Sequence, residues 1–150
     1  MRREDFTLVH TLRVRWAEVD MQHVVFNANY LMYFDVAIAE YWRAIAKEAE
    51  HDFHDEYMKL YSVKATIEYH GSARYDELID VGCRLARLGR SSVTFAFGIW
   101  RGLDHLVSGE LVYVHVEPDS RKGSPIPDRL RAAMLDYERT PPEIVSGGNR

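Results

Sequence analysis

The chain has a single cysteine, Cys83, among 150 residues. One thiol excludes an intrachain disulfide and a cysteine-based zinc site, and it agrees with a reducing, cytoplasmic setting. Long apolar runs are missing too: nothing approaches the roughly 18 to 20 residues that span a bilayer. The first residues carry Arg2, Arg3, Glu4 and Asp5 and no apolar stretch, so no signal peptide is expected. Basic residues are not in excess. Nineteen Lys and Arg face 23 Asp and Glu, a formal net charge of −4, which argues against a nucleic-acid surface. No Gly-x-Ser-x-Gly elbow occurs, so a serine nucleophile of that kind is excluded. No internal repeat or linker is present.

What remains is ordinary for a globular protein, with 47% hydrophobic and 28% charged residues. The length suits one domain with a real core. That domain is expected over residues 1–138, with a mobile tail over 139–150 where Pro, Ser, Gly and Asn dominate.

The chain is organised around residues 20–42. They begin as a polar loop and become its most apolar long segment. Tyr30, Phe34, Ala37, Ile38, Tyr41 and Ile45 recur at helical spacing, while Asp35, Glu40, Arg43 and Lys47 fall on the opposite arc. Asn27 or Asn29 is expected to cap the first turn. Asp20 lies a few residues before it, where a carboxylate and the positive end of a helix share one place.

Around this helix the chain reads as strands. Residues 7–16 alternate, with Leu8, His10, Leu12, Val14 and Trp16 on one side. Residues 48–57 are acidic and hold His51 and His54, which read as a solvated segment rather than a metal site. Residues 61–69 alternate cleanly, and 70–76 break the pattern as a bulge or bend. Strands follow over 78–88, 92–101 and 106–116, separated by turns at Gly89 and Gly102. The last is apolar on both faces toward its end, as in a central strand or a subunit contact. Pro118 ends the sheet, and a short helix follows Pro127. One wide-faced helix and consecutive strands joined by short turns make an α+β fold. About five antiparallel strands curl around the helix. The sheet's edges and other face still need cover, and a second copy of the chain would supply it.

Residues 14–34 resemble the signature of the hotdog-fold acyl-CoA thioesterases of the 4-hydroxybenzoyl-CoA thioesterase and tol-pal-associated type. In that family a loop Asp is followed by two β-branched residues, an aromatic, and Asn-Tyr opening the helix. Here these are Asp20, Val24, Val25, Phe26, Asn29 and Tyr30. Residues 73–78 and 88–92 resemble two further family segments. The likeness spans roughly residues 8–116. Two positions depart from it: His23 stands where the family usually has Gly, and Asn27 where many members have His or Tyr.

The resemblance implies a cytoplasmic acyl-CoA thioesterase, dimeric or tetrameric, with CoA entering only as part of the substrate and no metal or other cofactor. It implies Asp20 as general base or nucleophile, with His23 and Asn27 beside it. Backbone amides at Ala28, Asn29 and Tyr30 would form the oxyanion hole, helped by the 70–73 bend of a neighbouring subunit. Arg90, Ser91 and Ser92 would meet the CoA phosphates, and Phe26, Tyr33 and Phe34 the acyl group. The chemistry allows a site this sparse, because a thiolate leaves without prior protonation. On residue type alone, Asp20 could instead cap the helix or pair with Arg15. Two rival functions share the fold: an enoyl-CoA hydratase using an Asp–His pair, and a non-catalytic acyl-CoA-binding module.

Overall fold

The computed structural model describes residues 1–146. Strand β1 spans Leu8–Arg13, and helix α1 spans Asn29–Ala49. A short α2, His54–Tyr57, leads into β2, Leu60–Tyr69. Strands β3 (Leu78–Leu88), β4 (Ser92–Arg101) and β5 (Asp104–His115) follow. Helix α3, Asp128–Tyr137, and the two-residue strand β6, Glu143–Ile144, complete the order. The sheet runs β1-β3-β4-β5-β2 with antiparallel neighbours, and β6 lies parallel on β3. This is the expected antiparallel sheet packed against one long helix.

The apolar arc of α1 faces the inner side of the sheet. Tyr30, Tyr33, Phe34, Ala37, Ile38, Tyr41, Trp42 and Ile45 are all buried. The inner rows of β3 and β4, from Ile79 to Leu85 and from Val93 to Ile99, complete one core with them. Phe34 stacks on Phe97 with ring centroids 4.5 Å apart. The helix comes so close that a Cβ at Gly109 would lie 2.6 Å from the Phe34 ring, so β5 needs glycine there. Burying such a ring is worth about 1.5–3 kcal/mol. On the outer face, Phe6 meets Trp100 edge-on at 5.4 Å and covers the middle of the sheet.

Several boundaries differ from the sequence reading. Strand β1 stops at Arg13, and residues Trp16–Glu18 form a 3₁₀ turn that leaves Trp16 81% exposed rather than inward. Alternation alone does not reveal that Glu18 binds back to Arg15 and bends the chain. Strand β2 does not keep the expected alternation: its register shifts between Ser62 and Lys64, and Tyr61, Val63 and Tyr69 are exposed because it is a sheet edge with no covering layer among the described residues. The expected tail is bonded along the sheet as far as it is described. Arg139 donates to the Phe6 carbonyl at 2.8 Å, and the Val145 amide donates to the Leu88 carbonyl at 3.0 Å. Residues 147–150 of that tail lie outside the described residues.

The end of α3 anchors itself with Glu138. This carboxyl is buried and accepts from the Tyr41 hydroxyl at 2.9 Å and the Leu85 amide at 2.8 Å, while its Oε2 has no partner among the described residues. Burial pushes its pKa above the usual Glu value despite those two bonds.

Candidate active site

Three short segments meet at the start of α1. The first is the 3₁₀ turn ending at Glu18. The second is a small hairpin in which Val19 bridges Val25. The Asp20 amide donates to the Val24 carbonyl at 2.9 Å, and the His23 amide to the Asp20 carbonyl at 3.0 Å. The third is the bend after β2. The Val25 amide donates to the Ala73 carbonyl at 2.9 Å, and Val24 bridges Arg74. Arg101 ties the bend down by donating to the Ser72 carbonyl and to Glu77.

The hairpin tip requires left-handed backbone at residue 23, and His23 adopts it with φ 64°. The loop thus keeps the conformation that glycine takes most easily, at a cost of about 1–2 kcal/mol for a non-glycine residue. The Asp20 carboxylate accepts the Gln22 amide at 2.7 Å through Oδ1. It is not the partner of Arg15. That role belongs to Glu18, which accepts from the Arg15 amide at 2.8 Å, from the guanidinium at 2.7 Å, and from the Tyr33 hydroxyl at 3.0 Å.

Glu18 is 5% exposed. Burial alone would raise its pKa, but the bonds from Arg15 and Tyr33 outweigh that and hold it below the usual Glu value. Burial and the adjacent carboxylate push the Tyr33 hydroxyl up in turn.

The helix start also departs from expectation. Ala28 occupies the cap position, with helical φ and ψ, and no side chain among the described residues caps the first turn. Neither Asn27 nor Asn29 does so, because Asn29 turns its Nδ2 to the Glu18 carbonyl at 2.9 Å. The first-turn amides are therefore not taken by a capping side chain. The Asn29 amide, however, donates to the Phe26 carbonyl at 2.8 Å, so of the three expected oxyanion donors it is already engaged. Tyr30 is buried, and its hydroxyl accepts the Ala73 amide at 2.9 Å. The 70–73 bend thereby packs on the helix of its own chain. The Asn27 carbonyl accepts the Tyr69 hydroxyl at 3.1 Å.

Two clefts flank this assembly. One, of about 330 Å³, lies beside the hairpin among Trp16, Val19, His23 and Tyr75. The other, of about 270 Å³, lies between β1 and α1 on Leu12, Met32, Tyr33 and Val36, with Arg13, Arg15 and Glu18 at its edge. Of the expected acyl-group residues, Phe26 is 48% exposed at the helix mouth and Tyr33 borders the second cleft. Phe34 is fully buried against Phe97 and belongs to the core.

Arg90, Ser91 and Ser92 lie elsewhere. Their turn closes through a Gly89 amide to Ser92 carbonyl bond of 2.8 Å, and Arg131 donates to the Gly89 carbonyl at 2.7 Å. Arg90 is exposed, whereas Ser91 is buried and its carbonyl accepts the His115 amide at 2.7 Å. The turn follows the far end of β3, and the Asp20 hairpin packs beside the near end. Eleven residues of strand separate them, roughly 33 Å at full extension. One chain does not bring the two groups together. Among the described residues, no three of His, Cys, Asp and Glu gather into a metal-binding group.

Sequence reasoning overlooked Glu18. The signal was present: Arg15 and Glu18 have the three-residue spacing in which an acidic side chain reaches back to a turn's first amide.

One long helix held against a curled antiparallel sheet, with a loop carboxylate at its mouth, defines a hotdog-fold protein. The chain belongs to the thioesterase superfamily, whose family model matches residues 22–108, and it is a thioester hydrolase. The match begins just after Asp20. Three solved structures share the fold. A thioesterase of Thermus thermophilus, complexed with coenzyme A and Zn, is 23% identical with a TM-score of 0.79, covering 90% of this chain and 96% of that one. A 1,4-dihydroxy-2-naphthoyl-CoA thioesterase of Synechocystis is 16% identical with a TM-score of 0.73, covering 85% and 95%. The PA5185 protein of Pseudomonas aeruginosa strain PAO1 is 25% identical with a TM-score of 0.72, covering 91% and 94%.

Proposed function

We propose that the chain hydrolyses an acyl- or aroyl-CoA to the free acid and CoA, with Asp20 as the catalytic carboxylate. The observation that carries this reading is the placement of Asp20. It sits on a hairpin bonded to the start of α1, whose first turn has no capping side chain among the described residues. Asp20 takes a proton from water as the water oxygen attacks the thioester carbonyl carbon. Amides at Ala28 and Tyr30 receive the developing oxyanion, a contribution of about 10²–10³ in rate per donor, whereas the Asn29 amide is already engaged by the Phe26 carbonyl at 2.8 Å. The C–S bond then breaks. CoA leaves as a thiolate of an ordinary thiol, pKa ~8.5, and is reprotonated by Asp20 or by water. Direct attack by Asp20 to give a mixed anhydride uses the same geometry. No step calls for a metal or a redox cofactor.

A hydratase is less well supported. Asp20 engages the Gln22 amide, and His23 lines the cleft with Trp16 and Tyr75, so no Asp20–His23 side-chain pair is formed among the described residues. A pure binding module would have no need of a carboxylate at an uncapped helix start.

Arg90 contacts the CoA phosphates through its guanidinium, with Ser92 beside it. Because Arg90 and Asp20 lie at opposite ends of β3, a substrate that reaches both takes Arg90 from a second copy. Strand β2 offers the contact, as an edge presenting Tyr61, Val63 and Tyr69. Antiparallel pairing of two β2 edges turns the second copy end for end, so its Arg90 end moves toward the first copy's Asp20. That pairing underlies a homodimer or a homotetramer. No helix among the described residues is long and apolar enough to cross a membrane, and the buried Cys83 thiol suits the cytoplasm.

The test is thiol release from acetyl-, hexanoyl- and benzoyl-CoA by wild type and Asp20→Asn. Release that falls at least 10³-fold in the variant is expected. Undiminished release in Asp20→Asn refutes the assignment.

A further inference from the structure

We propose that Glu18 is a positioning residue that holds Asp20 and the first-turn amides of α1 at a fixed separation. The inference rests on the catalytic reading above. Three independent links meet in this one residue. Its carboxylate grips Arg15 on the chain entering the hairpin, through the amide at 2.8 Å and the guanidinium at 2.7 Å. The same carboxylate accepts the Tyr33 hydroxyl at 3.0 Å, one turn into α1. Its carbonyl oxygen accepts two donors, the Phe26 amide at 3.0 Å and Asn29 Nδ2 at 2.9 Å. Those two donors bracket Asn27 and Ala28. Asp20 follows two residues later on the same backbone.

The hairpin has little else to fix it against the helix. It is a seven-residue excursion, Val19 to Val25, whose other backbone attachment among the described residues is to the 73–74 bend. A carboxylate that must serve a carbonyl carbon whose oxygen lies in a separate amide cradle tolerates an error of only about 0.5 Å. A buried, ion-paired side chain with bonds to both segments supplies that rigidity. Glu18 touches neither substrate nor reacting atoms in this scheme, so its loss acts on the geometry of the chemical step.

Each link is weakened by one variant, the Phe26 amide staying on the Glu18 carbonyl in Asn29→Ala. Glu18→Gln sets an amide N–H₂ against the Arg15 guanidinium. Tyr33→Phe removes the bond to α1, and Asn29→Ala removes the second. With benzoyl- and hexanoyl-CoA, Glu18→Gln is expected to lower kcat at least tenfold with KM within about twofold. Tyr33→Phe and Asn29→Ala should each lower kcat about threefold with KM again steady. Ile45→Val, a core truncation in the distant half of α1, should lower the thermal midpoint and leave kcat unchanged. The proposal is overturned if Tyr33→Phe and Asn29→Ala keep wild-type kcat, if the losses appear in KM, or if Ile45→Val loses kcat in step with stability. Should Glu18→Gln not fold, Tyr33→Phe and Asn29→Ala still decide. Asp20→Asn is run beside them: full turnover there removes the catalytic reading itself, whereas an inactive Asp20→Asn with unaffected link variants removes only the role of Glu18.

Discussion

Glu18 and Glu138 are both buried carboxyls that accept a tyrosine hydroxyl and a backbone amide, yet their pKa values move in opposite directions. Glu18 has a guanidinium against it. Glu138 has only neutral donors in direct contact, and its Oε2 has no partner among the described residues. Burial penalises the charged form in both; in Glu18 the bonds from the Arg15 amide, the Arg15 guanidinium and the Tyr33 hydroxyl outweigh it, whereas in Glu138 the two bonds do not. The contrast matches their places. Glu18 holds a hairpin to a helix beside water. Glu138 pins the end of α3 into the core.

The largest expected effect comes from cutting the charged network. Glu18→Ala leaves Tyr33 and the Arg15 amide without their acceptor and should cost about 2–3 kcal/mol, read from the denaturant midpoint. The solvent around Arg15 keeps the cost below that of a fully buried pair. An unchanged midpoint would erase the distinction between the two acids.

Next come the two tyrosines. Tyr33→Phe removes a bond to a charged acceptor and should cost about 2 kcal/mol. Tyr41→Phe removes a bond to a carboxyl kept toward its neutral form and should cost about 1 kcal/mol. Equal losses would place both carboxyls in the same charge state.

The pH dependence of stability sharpens the contrast further. For Glu138 the folded pKa is raised above 4.5. Its contribution is complete below that value and is lost as pH rises through the raised one. For Glu18 the folded pKa is lowered below 4.5. Its contribution is present above 4.5 and is lost as pH falls through the lowered value. Stability measured against pH should therefore fall less on the rising side in Glu138→Gln than in wild type. A wild-type slope in that variant would show that Glu138 does not titrate there.

The smallest effect concerns the hairpin that Glu18 holds. His23→Gly releases left-handed strain but adds unfolded-state freedom, and should gain about 0.5 kcal/mol. A loss would show that the His23 side chain itself supports the loop.

The helix and the strands at 78–88 and 92–101 were legible because periodicity records which side faces the core. The edge character of β2 was not, since alternation says nothing of whether a layer covers it. Asp20 and the helix start were legible as neighbours, being close in sequence. Arg90 was legible only as a basic turn, and its separation from Asp20 appears once β3 is laid between them. The uncapped first turn was misread, because two asparagines at the right positions say nothing about which way Nδ2 turns.

The linear order of residues was enough to determine one amphipathic helix, an antiparallel sheet to bury it, and a carboxylate a few residues before the helix mouth, since all three depend on local spacing. Only the folded chain decided that Glu18 rather than Asp20 takes Arg15, that Phe34 is core, and that Ser91 is buried. Those outcomes depend on which groups distant in sequence are pressed together, and on the price of leaving a buried charge without a partner.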